Sequence, residues 1–412
     1  MAEFDVTRQI ALLPLSLFTL GFTMGPVISA PISELYGRRI IYWVSMALLI
    51  IFTACAGASN SISMLVVFRF LAGLGGSGSL AVGAGTLSDL WNLQKEGGIA
   101  SLFFIMAPFL GPSLGPLTGA YIIDQYNNDW RYSMWVILMI AGPIAIMACF
   151  MKETSASRIL YLRSKRAGLT PAHINGDTLL LIRKLKTAIF RPLHMMFAEP
   201  LVALLSIYTG FAFAMMFSFF GSYNYVFLSV YHFNLKEIGL TFLGILVGFV
   251  FAIMAFGFFD FTLYQKEAAK ANGVPAPEHR LYTAMLGSVM LPIGLFWFAW
   301  APREGVHWIV PVLGGVPFGC GCLGIFISIT TYMVEIYSSD IAASAVAANG
   351  ILRYALGAAF PLFTLQMYEA LGIQWAGSLF AFIALVMMPV PWAFFKWGKI
   401  VRKTSKYEMR NN

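Results

Sequence analysis

The stretch Ala107–Gly119, APFLGPSLGPLTG, governs the reading of the whole chain. Ala107, Gly111, Gly115 and Gly119 recur at every fourth position, so on an α-helix they form one stripe without bulky side chains. Pro108, Pro112 and Pro116 form a second stripe beside it. In water, helix-interior prolines at roughly 3 kcal/mol each break a helix. Here the surroundings are apolar from Ile99 to Ile123, and in hydrocarbon a freed carbonyl has no water to turn to. The expectation is a bent membrane helix whose glycines form a seam for close packing of another helix.

Composition agrees with a membrane setting. The chain is 59% hydrophobic and 11% charged, with mean hydropathy +0.75, whereas soluble domains carry about 25% charged residues. Cys55, Cys149, Cys320 and Cys322 all lie in or beside apolar runs, so neither a disulfide framework nor a zinc site is indicated. The net charge of +8 does not come from a soluble basic domain. Its Lys and Arg residues sit between hydrophobic runs, which speaks for topology and against nucleic acid.

Crossing about 30 Å of hydrocarbon takes about 20 apolar residues. Eleven runs meet this: 10–30, 40–58, 64–88, 99–123, 132–151, 201–226, 239–262, 282–301, 308–333, 342–365 and 376–397. Threading them back and forth leaves only Arg8, Arg131, Lys236 and Arg303 in the loops of one side. Apart from Arg69 and Arg353 inside spans, the other basic residues fall on the opposite side, which is therefore expected to be cytoplasmic, with the C-terminus inside and the N-terminus outside. The organisation expected is an all-α integral membrane protein: an N-terminal bundle of five spans (1–151), a cytoplasmic linker (152–199), a C-terminal six-helix bundle (200–397) and a basic tail (398–412). Within the linker, Leu179 to Phe197 reads as an amphipathic helix with Arg183, Lys184, Lys186 and Arg191 available to anionic headgroups.

Two related halves are suggested by a weak echo. Spans 64–88 and 308–333 are both glycine-rich, and Gly111-Pro112 corresponds to Gly357 through Pro361.

A few polar residues stand out against this background. Arg69 and Arg353 lie inside uncharged runs, Arg353 near the middle of its span with Asn349 one turn before it. Such charges are costly in a membrane and mark an interior polar role. Glu34, Gly37, Arg38 and Arg39 form a short turn between the first two spans, and Asp89 ends another span; together they suit a conformational latch. Asp260 and Glu335, also near span ends, are expected simply to be solvated at the interface. Tyr208, Phe211, Tyr223 and Asn224, with Phe318, are candidate linings for an apolar substrate cavity. There is no HExxH, GxSxG or Walker loop, and the histidines lie in or beside loops without ligand spacing. No enzyme, metal or cofactor is expected, and any pumping must draw on an ion gradient.

At this point the sequence resembles the fungal drug:proton antiporter branch of the major facilitator superfamily. PISELYGRR (31–39) is similar to its signature loop, RFLAGLGGSG (69–78) to its fourth-helix arginine motif, and GPSLGP (111–116) to its antiporter motif. ETSASRILYLRSKRAGL, RPLHMMFAEP, LYTAMLGSVMLPIGLFWFAW, HWIVPVLGGVPFG and AASAVAANGILRYALGAAFPLF extend the resemblance over essentially the whole chain. The resemblance implies a major facilitator fold of two helical bundles, here with about eleven spans (five and six) where the family has twelve. It implies alternating access, Arg69 in the proton-coupling region, to which the buried-charge candidates Arg353 and Asn349 are added from their place in the sequence, and Gly111, Pro112, Gly115 and Pro116 at the bundle interface. It also implies export of small organic molecules in exchange for protons, by a monomer in the plasma membrane or the vacuolar membrane.

Some positions depart from the pattern. Ala30 replaces a glycine, Leu35 an often basic residue, and Gly221 a frequent glutamate. MAEFDVTRQIALLPLSLF matches the family's first outside loop and second helix, so its first helix is expected to be absent. The alternative expectation is a truncated, non-transporting remnant of such an exporter.

Overall fold

In a computed structural model, the described residues are 4–90, 98–168, 178–270, 275–403, 405–407 and 409. They are helical, and the one pairing of extended backbone among them is a bridge between Tyr337 and Met409. In chain order the helices are α1 (Arg8–Tyr36), α2 (Arg38–Gly57), α3 (Ile62–Leu90), α4 (Gly98–Gln125), α5 (Arg131–Cys149), α6 (Ala156–Arg166) and α7 (Thr178–Ala198). There follow α8 (Pro200–Tyr231), α9 (Leu235–Thr241), α10 (Leu243–Phe259), α11 (Gln265–Lys270), α12 (Tyr282–Trp300), α13 (Ile309–Ile336), α14 (Ser339–Met387) and α15 (Pro389–Lys403).

Proline does not stop these helices. α1 runs through Pro14, Pro26 and Pro31, and α4 through Pro108, Pro112 and Pro116, as expected where a broken ladder finds no water. Ends are set by local chemistry instead. Gly37, at φ +99°, separates α1 from α2. A capping box starts α9: Asn234 Oδ1 accepts from the Glu237 N–H at 3.0 Å, and Glu237 Oε2 accepts from the Asn234 N–H at 2.8 Å.

Among the described residues, nine helical stretches are long and apolar enough to cross a membrane. The nine do not include α4, and they count 341–403 once. That stretch of 63 residues would be roughly 95 Å long if straight, and it reverses at Gly372, at φ +76°. The earlier part of α14 runs beside α8, with Asn349 donating to Thr209 and Thr364 to Ser218. The later part returns beside α12, where Trp300 donates to Ser378 and Trp392 of α15 donates to Ser288.

The chain divides into two compact units, one comprising 1–105 with 126–193 and the other 106–125 with 194–412. One boundary between the units falls within α7, between Leu193 and His194. The later part of α4 groups with the second unit and not with the bundle expected to hold 1–151. Phe109 explains why: it is 1% exposed, its ring lying against Phe213, Phe249 and Phe326. In the first unit α3 packs on α1 and α2; in the second α13 packs on α10 and α12. α15 continues to Lys403, and Arg402 reaches Glu278 at 2.8 Å.

Candidate functional site

In the first unit the residues expected to form a latch meet only in part. Arg38 Nε meets Asp89 Oδ2 at 3.2 Å and Arg38 Nη1 donates to Ser33 Oγ at 2.8 Å. Arg38 lies across Gly85 of α3, where any side chain would collide with the guanidinium. Glu34 does not take part: it pairs with Lys184 of α7 at 2.8 Å. Ser33 is the inward residue on that turn, fully buried, and the next position lies about 100° further round the helix. Arg39 makes no carboxylate pair with its side chain among the described residues; it sits over the Trp43 ring at 4.2 Å and donates to the Cys149 carbonyl at 3.4 Å.

The missing carboxylate is Glu153, which sequence reasoning quoted inside a motif without assigning it a role. Its Oε1 accepts from the Arg38 N–H at 2.8 Å and its Oε2 from the Arg39 N–H at 3.3 Å. It thus supplies the negative cap that the positive end of α2 favours. The same carboxylate fills the space where a Cβ at Gly37 would stand, so both φ and space at this turn require glycine.

A second clasp stands at the corresponding place in the second unit. Arg280 Nε meets Glu335 Oε1 at 2.6 Å, Arg280 Nη1 meets Asp260 at 2.5 Å, and the guanidinium lies 3.6 Å over the Tyr264 ring. Asp260 through Tyr264 form a π-helical turn, a local widening frequent at functional sites. Asp260 and Glu335 are therefore paired, not merely solvated as expected. A signal was present: Arg38 and Asp89 are 51 residues apart, Arg280 and Glu335 are 55 apart, and each carboxylate ends a glycine-rich helix.

The buried cations differ from each other. Arg69 is half-buried, with its guanidinium 4.1 Å over the Phe18 ring and Nη1 4.0 Å from Met134 Sδ. Arg353 is 7% exposed, and its Nε and Nη1 have no hydrogen-bond partner among the described residues. Asn349 hydrogen-bonds Thr209 and not Arg353.

Two expectations meet a different arrangement. No atom lies within 4 Å of a Cβ built on Gly111, Gly115 or Gly119, so the expected seam is an open face. α4 packs by its other side, where Gly239 of α9 lies against Pro116, Leu117 and Ala120, and Lys236 pairs with Asp124. Of the expected cavity residues, Tyr208, Phe211, Tyr223 and Phe318 are buried in the second unit. Tyr223 stacks on Phe298 at 4.7 Å and Phe318 meets Phe219 at 4.3 Å, so these rings fill a core instead of lining a void. Asn224 turns its amide back to the Phe220 carbonyl at 2.6 Å. Among the described residues no cluster suited to a metal ion occurs.

Known proteins place this geometry in a lineage. The chain is 40% identical over 420 residues to the "Major facilitator superfamily multidrug transporter mdrA" of Aspergillus fumigatus, covering 100% of this chain and 68% of the relative. It is 35% identical to "Polyamine transporter 4" of Saccharomyces cerevisiae, covering 98% of this chain and 65% of that one. Its fold matches the E. coli xylose transporter XylE with a TM-score of 0.63 at 16% identity, over 95% of this chain and 92% of the other. With the family profile described as Major Facilitator Superfamily matching residues 1–361 as well, the clasped, all-helical chain belongs to the major facilitator superfamily and is a membrane transporter of small organic molecules, not an enzyme.

Proposed function

We propose that this transporter is a proton-coupled antiporter that exports small organic molecules, such as drugs or secondary metabolites, by alternating access across the plasma membrane, acting as a monomer. The observation that carries the reading is the pair of repeat-related clasps, Arg38–Asp89 and Arg280–Glu335. Their side chains are 17% to 25% exposed, dry enough for the pairs to matter and wet enough for them to open. Closing a clasp favours one conformation, and protonating its carboxylate removes the attraction. A proton and a substrate that prefer opposite conformations by a few kcal/mol are then exchanged. Arg69, embedded in α3, supports a polar role in that coupling, and the absence of a nucleotide-binding motif leaves an ion gradient as the energy source. The similarity to a multidrug transporter supports the substrate class.

The test is transport by the full chain in proteoliposomes carrying an imposed pH gradient, with a lipophilic fluorescent dye as cargo. Dye movement should collapse on adding a protonophore. Movement that persists with the protonophore rules out proton exchange, and the lack of any gradient-driven movement favours the remnant.

A further inference from the structure

Among the described residues three acidic or basic side chains are buried: Glu199, Glu278 and Arg353. Two are answered. Glu199 accepts from the Lys406 N–H at 2.7 Å and Glu278 pairs with Arg402 at 2.8 Å. Arg353 is not: its Nε and Nη1 meet no acceptor, and no ion pair involves it among the described residues. Its surroundings are rings, with the guanidinium 4.4 Å from the centre of Phe326, 4.6 Å from Tyr354 and 5.2 Å from Phe213. Phe109 closes over two of these, 4.9 Å from Phe326 and 5.7 Å from Phe213.

Ring faces attract a cation but accept none of its hydrogen bonds in the strong, directional way a carboxylate does. A permanently charged group held this way is costly unless an anion joins it. Asn349, one turn earlier, gives its amide N–H to Thr209, and no hydrogen bond joins it to Arg353. There is also room on the same helix face: Gly350 stands one turn before Arg353, and no atom lies within 4 Å of a Cβ built there.

We propose that Arg353 is a binding residue for the cargo, taking the carboxylate of a small aromatic or otherwise apolar organic anion whose body lies among Phe213, Phe326 and Phe109. The inference rests on the exporter reading and narrows it. The planar guanidinium presents Nε–H and an Nη–H side by side, matching the two oxygens of a carboxylate. A polycation finds the opposite, a buried positive charge without a carboxylate beside it among the described residues. The ring of Phe109, carried by the helix with the antiporter-like motif, is the lid of this site.

The experiment uses the full chain in nanodiscs of neutral lipid, with 2-naphthoate, 2-naphthamide, 2-naphthylmethylammonium and chloride as probes, read by thermal unfolding. 2-Naphthoate should raise the midpoint of the parent protein, while the amide and the ammonium should not. Arg353→Lys should weaken naphthoate at least ten-fold, and Arg353→Gln should abolish the shift. Without ligand, Arg353→Met should unfold at or above the parent's midpoint, because an uncompensated charge has been removed; an interior role that is only structural would lower it. Equal protection by the amide, an unchanged response in Arg353→Gln, no response to naphthoate, or a shift produced by chloride alone overturns the proposal. Transport separates the two readings. Gradient-driven export of the amide with naphthoate left behind sinks the anion site and keeps the exporter, whereas naphthoate binding without any transport keeps the site and sinks the exporter.

Discussion

Glycines spaced four apart do opposite things in two parts of this molecule. Gly244 and Gly248 of α10 and Gly315 and Gly319 of α13 bring two helices into contact: a Cβ on Gly248 would meet the Val316 carbonyl and lie 2.8 Å from the Cys320 nitrogen, and one on Gly319 would meet the Ile245 carbonyl. In α4 the same spacing, Gly111, Gly115 and Gly119, faces open space. Spacing therefore specifies a smooth stripe but not its occupant. The α10–α13 stripe holds two helices together, while that of α4 meets no neighbour.

The largest expected effect breaks this comparison directly. Gly319→Leu should cost about 3 kcal/mol or more by overpacking between two backbones, and it should be read as loss of folded, monodisperse protein. Gly115→Leu should fold as well as the parent or better, since a side chain there meets nothing and leucine favours a helix over glycine by roughly 1 kcal/mol. Dye transport should nevertheless fall in Gly115→Leu if the free stripe takes part in the cycle. A Gly115→Leu protein that unfolds would show that the stripe is a packing seam after all.

The extent to which sequence revealed these features follows the same distinction. Apolar runs and prolines tolerated within them announced the helices, because the bilayer leaves the backbone one way to satisfy itself. The Arg38–Asp89 contact was legible because a short turn joins two spans and a carboxylate ends a third. Glu153 was not, because its role depends on a helix N-terminus more than a hundred residues away in the chain, and Arg280 was not, because its acids looked like ordinary interfacial residues. The aromatic run of α8 misled for a related reason: sequence shows that Tyr223 and its neighbours are amphipathic rings, but only packing shows that Phe298 and Phe318 are stacked into them.

An intermediate effect sharpens the comparison between the two clasps. Arg280 serves Asp260 and Glu335 at once, with its guanidinium over Tyr264, whereas Arg38 has Asp89 as its one side-chain carboxylate among the described residues and a hydroxyl besides. Removing Arg280 leaves two carboxylates facing each other without their cation. Arg280→Gln should therefore lower stability by about 2–3 kcal/mol, after allowing for partial exposure, and Arg38→Gln by about 1 kcal/mol. Thermal unfolding in detergent compares them. Equal losses would indicate that the second carboxylate contributes nothing.

The smallest effect concerns the ion pair that left the expected latch. Lys184 Nζ meets Glu34 at 2.8 Å, with 36% and 56% of the two side chains exposed. Exposed pairs of this kind contribute about 0.2–1 kcal/mol and are screened by salt. Lys184→Ala should therefore shift the unfolding midpoint by less than either clasp variant, and the shift should shrink as ionic strength rises. If it instead matched Arg38→Gln and ignored salt, the Glu34–Lys184 pair would be as important to the first unit as the Arg38–Asp89 contact, and the α1 turn would be held by the linker helix as firmly as by α3.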